Sequence, residues 1–196
     1  SGELTTQAYF EQLLRLVYRL IFLATIEDRE LVFAPDATEA SRQRYRDGYS
    51  LGRLRQLAAR RRSHDRHADL WQVLGITFAG LGHGQPALGL PALGGLFARS
   101  QCPDLDASQL DNAALLTSLY SLCFFRDGTS LSRVNYRDMD SEELGSVYES
   151  LLELVPQITL TGGVRRFGFV GDEEEGSTRG NARKLSGSYY TPDSLV

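Results

Sequence analysis

Lysine is almost missing from this 196-residue chain. Lys184 is its only one, so 20 of its 21 basic residues are arginine (21 minus one), and any chemistry that needs a lysine has a single candidate. Cysteine is scarce too. Cys102 and Cys123 stand far apart without metal-type spacing, which excludes a disulfide framework and reads as two free buried thiols of a cytosolic protein. Long apolar runs are missing as well. The most apolar stretch, residues 13–26, is interrupted by Arg15 and Arg19 and is too short to span a bilayer. No signal peptide is visible, so a cytoplasmic protein without a membrane partner is expected. The chain opens Ser1, Gly2, Glu3 without an initiator methionine and enters a helical pattern almost at once, as expected of a piece of a longer protein. What remains is ordinary for a globular domain: 42% hydrophobic and 23% charged residues, with length enough for a sizeable core.

The net charge of −4 hides an asymmetry. Between Glu39 and Arg66 lie nine arginines, opposed by Glu39, Asp47 and Asp65 alone. That stretch carries +6 (nine minus three), leaving −10 for the rest. Such a run is either a solvated helix face or a surface for a phosphate backbone, where arginines release condensed counterions. On the second reading Arg53, Arg60, Arg61 and Arg62 are the candidate DNA-binding residues.

Apolar periodicity makes the chain mainly α, a multi-helix domain with a small β-hairpin near the C-terminus. Residues 5–27 form a long amphipathic helix, with Arg15 and Arg19 facing away from its apolar stripe. Residues 37–62 form an arginine-rich helical segment in which Gly48 and Gly52, each costing about 1 kcal/mol in a helix interior, either break the helix in two or let another backbone approach. His64 and His67 lack the further ligands of a metal site and read as a polar helix start. A helix over 68–81 leads into a loop of glycines and prolines, residues 80–95. The loop lacks a phosphate-cradling pattern, and Leu96 and Phe97 behind it are expected to plug the core. Asp106 or Ser108 starts the next helix, which Phe124 and Phe125 end before a turn at 126–129. Asp140 and Glu143 form a capping arrangement for a helix over 141–154. Glu142, Glu143, Glu149 and Glu153 read as its surface charges rather than an acid–base pair. Strands 157–160 and 164–170 then flank a glycine turn. The expected division is a helical domain over 1–155, the hairpin and an acidic loop over 156–180, and the start of a further domain over 181–196.

The last stretch is extended and stiff. Pro192 fixes its own φ and keeps Thr191 out of the helical region, while Tyr189 and Tyr190 offer flat apolar faces with hydroxyl handles. Asp193 and Ser194 are a helix-start signal with only Leu195 and Val196 behind them, as expected where further chain follows.

Several stretches carry a family likeness: YRD (136–138), ELGSVYESLLE (143–153), RKLSGSYYTP (183–192), LLRLVYRLIF (13–22) with EDR (27–29), and PALGGLF (91–97). Together they resemble the region that precedes the catalytic domain in large adenine-N6 DNA methyltransferases, of the type IIG restriction-modification and phage-defence kinds. The resemblance implies S-adenosylmethionine as cofactor. Thr191 would help hold its amino-acid end, with Tyr189, Tyr190 and Pro192 shaping that position. It also implies DNA and the rest of the same polypeptide as partners. The family's glycine-rich cradle and its Asn/Asp-Pro-Pro-Tyr/Phe tetrapeptide, which would receive a flipped adenine, occur nowhere in the sequence, and no nuclease pattern follows Pro35 and Asp36. No catalytic residue and no metal ligand is therefore assigned to this chain, which is expected to support DNA modification rather than perform it.

Overall fold

The computed structural model describes residues 4–161 and 163–170, and places them in two compact units. One comprises residues 15–138; the other joins the described residues before 15 with those after 138. The chain is mainly helical, as its periodicity predicts, with an antiparallel hairpin close to the C-terminal end.

The unit of residues 15–138 holds most of α1 (Thr6–Asp28), then α2 (Glu39–Gly48), α3 (Leu51–Ala58), α4 (Asp69–His83), α5 (Pro103–Asp106) and α6 (Asn112–Cys123). Its core is aliphatic: Leu23, Leu51, Leu54, Leu74, Leu116 and Leu119 are fully buried. The arginine-rich segment breaks between α2 and α3, and a serine makes the break. Ser50 Oγ accepts from the Arg53 amide at 3.1 Å and donates to the Arg46 carbonyl at 2.9 Å, capping the new helix. Gly48 is the last residue of α2 and Gly52 lies in the first turn of α3, so the two glycines flank the break.

The glycine- and proline-rich stretch after α4 is a packed plug, not an open loop. Three short 3₁₀ turns, Pro86–Leu88, Gly95–Phe97 and Arg99–Gln101, and a bridge between Gln85 and Leu90 give it shape. Leu88, Leu90 and Phe97 are buried, whereas Leu96 is only partly so. Close approach explains Gly82: a Cβ there would lie 2.8 Å from the Phe97 carbonyl oxygen.

Arg15 and Arg19 do not face away from this structure. Arg19 is completely buried. Its Nε donates to the Leu96 carbonyl at 2.9 Å, Nη2 to the Ala98 carbonyl at 3.1 Å and Nη1 to Asp106 at 2.7 Å, and its guanidinium lies 5.3 Å from the Phe78 ring centre. One turn earlier, Arg15 Nη1 donates to the Gln101 carbonyl at 3.2 Å. Two arginines therefore staple the plug onto α1. Their off-stripe positions are the ones that reach backbone carbonyls, which need donors when buried.

The helix expected from Asp106 or Ser108 begins later. Pro103 starts the four-residue α5, and Asp111 caps α6 by accepting from the Ala114 amide at 2.7 Å. Phe124 and Phe125 do more than end α6. They open β1 (Phe124–Asp127), which pairs antiparallel with β2 (Ser130–Arg133) around a two-residue loop. Gly128 takes φ 59° at the loop's first position, a tight-hairpin requirement that glycine meets. This hairpin is additional to the one the sequence announces.

In the other unit, α7 (Ser141–Leu152) has the full capping box: Asp140 accepts from the Glu143 amide at 2.8 Å, and Glu143 from the Asp140 amide at 3.3 Å. β3 (Pro156–Thr161) pairs with β4 (Val164–Phe169), Ile158 opposite Phe167. An isolated ribbon is marginal in water. This one gains edge-to-face contacts from the first turns of α1, Tyr9 on Phe167 at 5.1 Å and Phe10 on Phe169 at 5.7 Å.

Candidate nucleic-acid interface

The nine arginines between Glu39 and Arg66 divide by what they touch. Arg55 is buried and forms a two-point ion pair with Asp28, at 2.7 and 3.1 Å, while Arg133 joins the same carboxylate at 2.7 Å. Burial alone would raise the Asp28 pKa. The hydrogen bond and charge of Arg55, with those of Arg133, outweigh it and hold the carboxyl below its ordinary range. Arg42 and Arg46 each lie 5.3 Å from the Phe33 ring centre. Arg42 also donates to the Ala37 carbonyl, Arg46 to Glu39 and Arg44 to the Ala87 carbonyl. These four arginines are held by the fold.

Beside Arg55 a buried carboxylate closes the start of α3. Glu27, from the last turn of α1, accepts from the Leu51 amide at 2.7 Å, the Gly52 amide at 2.8 Å and the Tyr45 hydroxyl at 2.5 Å. Burial pushes its pKa up against those hydrogen bonds. The cleft above, about 680 Å³, is lined by Glu27, Glu30, Phe33, Arg46, Arg53 and Arg60 among others. The α3 amide donors at its floor already serve Glu27 and Ser50, so this helix start is not an anion cradle.

Arg60, Arg61, Arg62 and Arg66 differ from the rest. All four are exposed, on the turn from α3 to α4, which includes the 3₁₀ turn Arg61–Ser63. Among the described residues their guanidinium groups have neither a carboxylate within ion-pairing distance nor a hydrogen-bond acceptor. Arg53 is half-buried on α3, and its charge is felt by Asp69. The turn itself is fixed. His64 Nε2 donates to the Ala58 carbonyl at 3.0 Å, the Ala113 amide to the Asp65 carbonyl at 2.9 Å and the Asn112 amide to the His67 carbonyl at 2.6 Å. No group of three potential metal ligands occurs among the described residues.

Of the four arginines singled out in sequence, Arg60, Arg61 and Arg62 fall together on this turn and Arg53 lies on the helix leading to it; Arg66 belongs with them. The polar residue that ties the turn to α6, Asn112, had no signal beyond its place beside the Asp111 cap. Tyr189, Tyr190, Thr191 and Pro192 lie outside the described residues. No helix among the described residues is long and apolar enough to cross a membrane. No protein-family model matches the chain, and no curated protein or solved structure is significantly similar to it.

Proposed function

We propose that this chain is a helical support and DNA-cleft module of a site-specific adenine-N6 DNA methyltransferase, and that the turn carrying Arg60, Arg61, Arg62 and Arg66 contacts DNA phosphates. The observation that carries the DNA contact is the contrast among the arginines. Four of the nine are satisfied by the protein, while Arg60, Arg61, Arg62 and Arg66, unpaired among the described residues, gather charge on a pinned turn where an anion would answer it. Guanidinium groups match phosphate oxygens in a fixed fork, and phosphate contacts position a protein on DNA without reading its sequence. The methyltransferase assignment rests on the resemblance of the stretches quoted above. On that reading S-adenosylmethionine supplies the methyl group in the complete protein, with Thr191 at its amino-acid end and Tyr189, Tyr190 and Pro192 around it. Replacing Arg60, Arg61 and Arg62 with alanine should weaken binding to a labelled DNA duplex by about tenfold at low salt and flatten the salt slope by roughly two to three, near 0.9 per lost phosphate contact. Unchanged affinity and slope would sink the DNA contact.

A protein-docking module without nucleic-acid contact is the second reading. It is favoured by the exposed apolar residues of the unit containing the β3–β4 hairpin: Leu152, Val155, Ile158, Leu160, Val164 and Val170. A folded chain that shifts no duplex at low salt would favour this reading over the first.

A further inference from the structure

We infer that Asn112 keeps the arginine turn open to phosphate by holding the two carboxylates nearest to it in sequence, Asp65 and Asp69, against α6 and out of contact with the guanidinium groups. This rests on the phosphate-binding reading of that turn.

Asp65 and Asp69 are the only acidic residues between Asp47 and Asp104, and both fall in the arginine turn or at its edge. Asp65 is the sequence neighbour of Arg66, and Asp69 interacts electrostatically with Arg53. Carboxylates so placed would ordinarily pair with the arginines and cancel part of their field. Neither does. The side chain of Asn112, 3% exposed, reaches both: Nδ2 donates to Asp65 at 2.7 Å and to Asp69 at 2.9 Å. Its Oδ1 accepts from the Leu70 amide at 3.2 Å, so the whole amide is used. The His67 amide adds a donor to the Asp65 carboxylate at 3.0 Å. The Asn112 hydrogen bond, the leading influence on Asp69, helps keep that carboxyl below its ordinary range, and hence charged.

The residue type matters. A lysine or arginine at this place would satisfy the carboxylates but add another cation. An apolar residue would release both carboxylates toward the guanidinium groups. A neutral amide with two donors orients them without either effect. Asn112 is thus a positioning residue for the arginine turn.

The test is duplex binding by the full chain, followed by anisotropy across a salt series. Asn112→Ala should weaken affinity about three- to tenfold and flatten the salt slope by about one to two, as freed carboxylates neutralise arginines. Adding Asp65→Asn and Asp69→Asn to that variant should return affinity to within about twofold of wild type. No rescue would mean that Asn112 only orders the turn, and would overturn the inference. The two aspartate changes in the wild-type background, which preserve side-chain shape and should leave the fold intact, give a second reading. They should alter affinity less than about threefold, whereas a tenfold tightening would show the carboxylates already masking the arginines and would equally overturn it. Failure of the underlying DNA reading shows separately, as an Arg60, Arg61 and Arg62 triple-alanine variant that binds as wild type.

Discussion

Arg19 and Arg55 stand on one side of a comparison within residues 15–138, and the Arg60–Arg66 turn on the other. Arg19 and Arg55 are buried and engaged with carboxylates, and Arg19 also with backbone carbonyls. The arginines of the turn are exposed, and their guanidinium groups are unpaired among the described residues. In the interior the guanidinium acts as a staple. Its value is the penalty that follows when its partners lose it. On the turn it is exposed, where a guanidinium contributes little to folding.

That contrast predicts a graded series of stability losses. Arg19→Ala should be the most damaging, at about 3–5 kcal/mol in urea denaturation, because it strips two loop carbonyls and Asp106 of a buried donor. The plug over residues 84–101 should become an early site of proteolysis. A loss under about 1 kcal/mol would deny Arg19 its structural role. Arg55→Ala should cost less, about 2–4 kcal/mol, since Arg133 remains on Asp28.

Asp28→Asn should cost about 1–3 kcal/mol at neutral pH, and that cost should depend on pH. The folded-state pKa of Asp28 is depressed, so its stabilising effect is present above the ordinary aspartate range and fades as pH falls through the folded value. The gap between wild type and Asp28→Asn should therefore narrow below about pH 4. A gap that stays constant down to acid pH would contradict the ion-pair account. Glu27 runs the other way: its folded pKa is raised, so its effect on stability is best at low pH and declines as pH rises through that value. The smallest effect belongs to the turn, where alanine at Arg60, Arg61 and Arg62 should leave stability within about 0.5 kcal/mol of wild type.

How much of this was legible in the sequence differs by element. The capping box of Asp140 and Glu143 and the β3–β4 hairpin were readable because their signals are local: a cap three residues from its partner, and a two-residue glycine turn. The β1–β2 hairpin was not, because Phe124 and Phe125 continue the apolar run of α6 and each strand has only four residues. The break between α2 and α3 falls between Gly48 and Gly52, where their helix cost points; the cap that starts α3, the hydroxyl of Ser50, is a detail that glycine cost does not supply. Arg19 was misread because its partners lie 77 to 87 residues downstream, beyond any periodicity. The arginine cluster was visible as charge. Its division into staples and unpaired groups needed the tertiary partners, and so did the part played by Asn112.

The contact proposed between the arginine turn and a phosphate backbone is open to direct measurement. The most direct measurement is duplex affinity across a salt series for wild type against the Arg60, Arg61 and Arg62 triple-alanine variant, each first shown to melt alike. About tenfold weaker binding with a salt slope flatter by roughly two to three is the predicted result. Equal affinities and parallel slopes would contradict it.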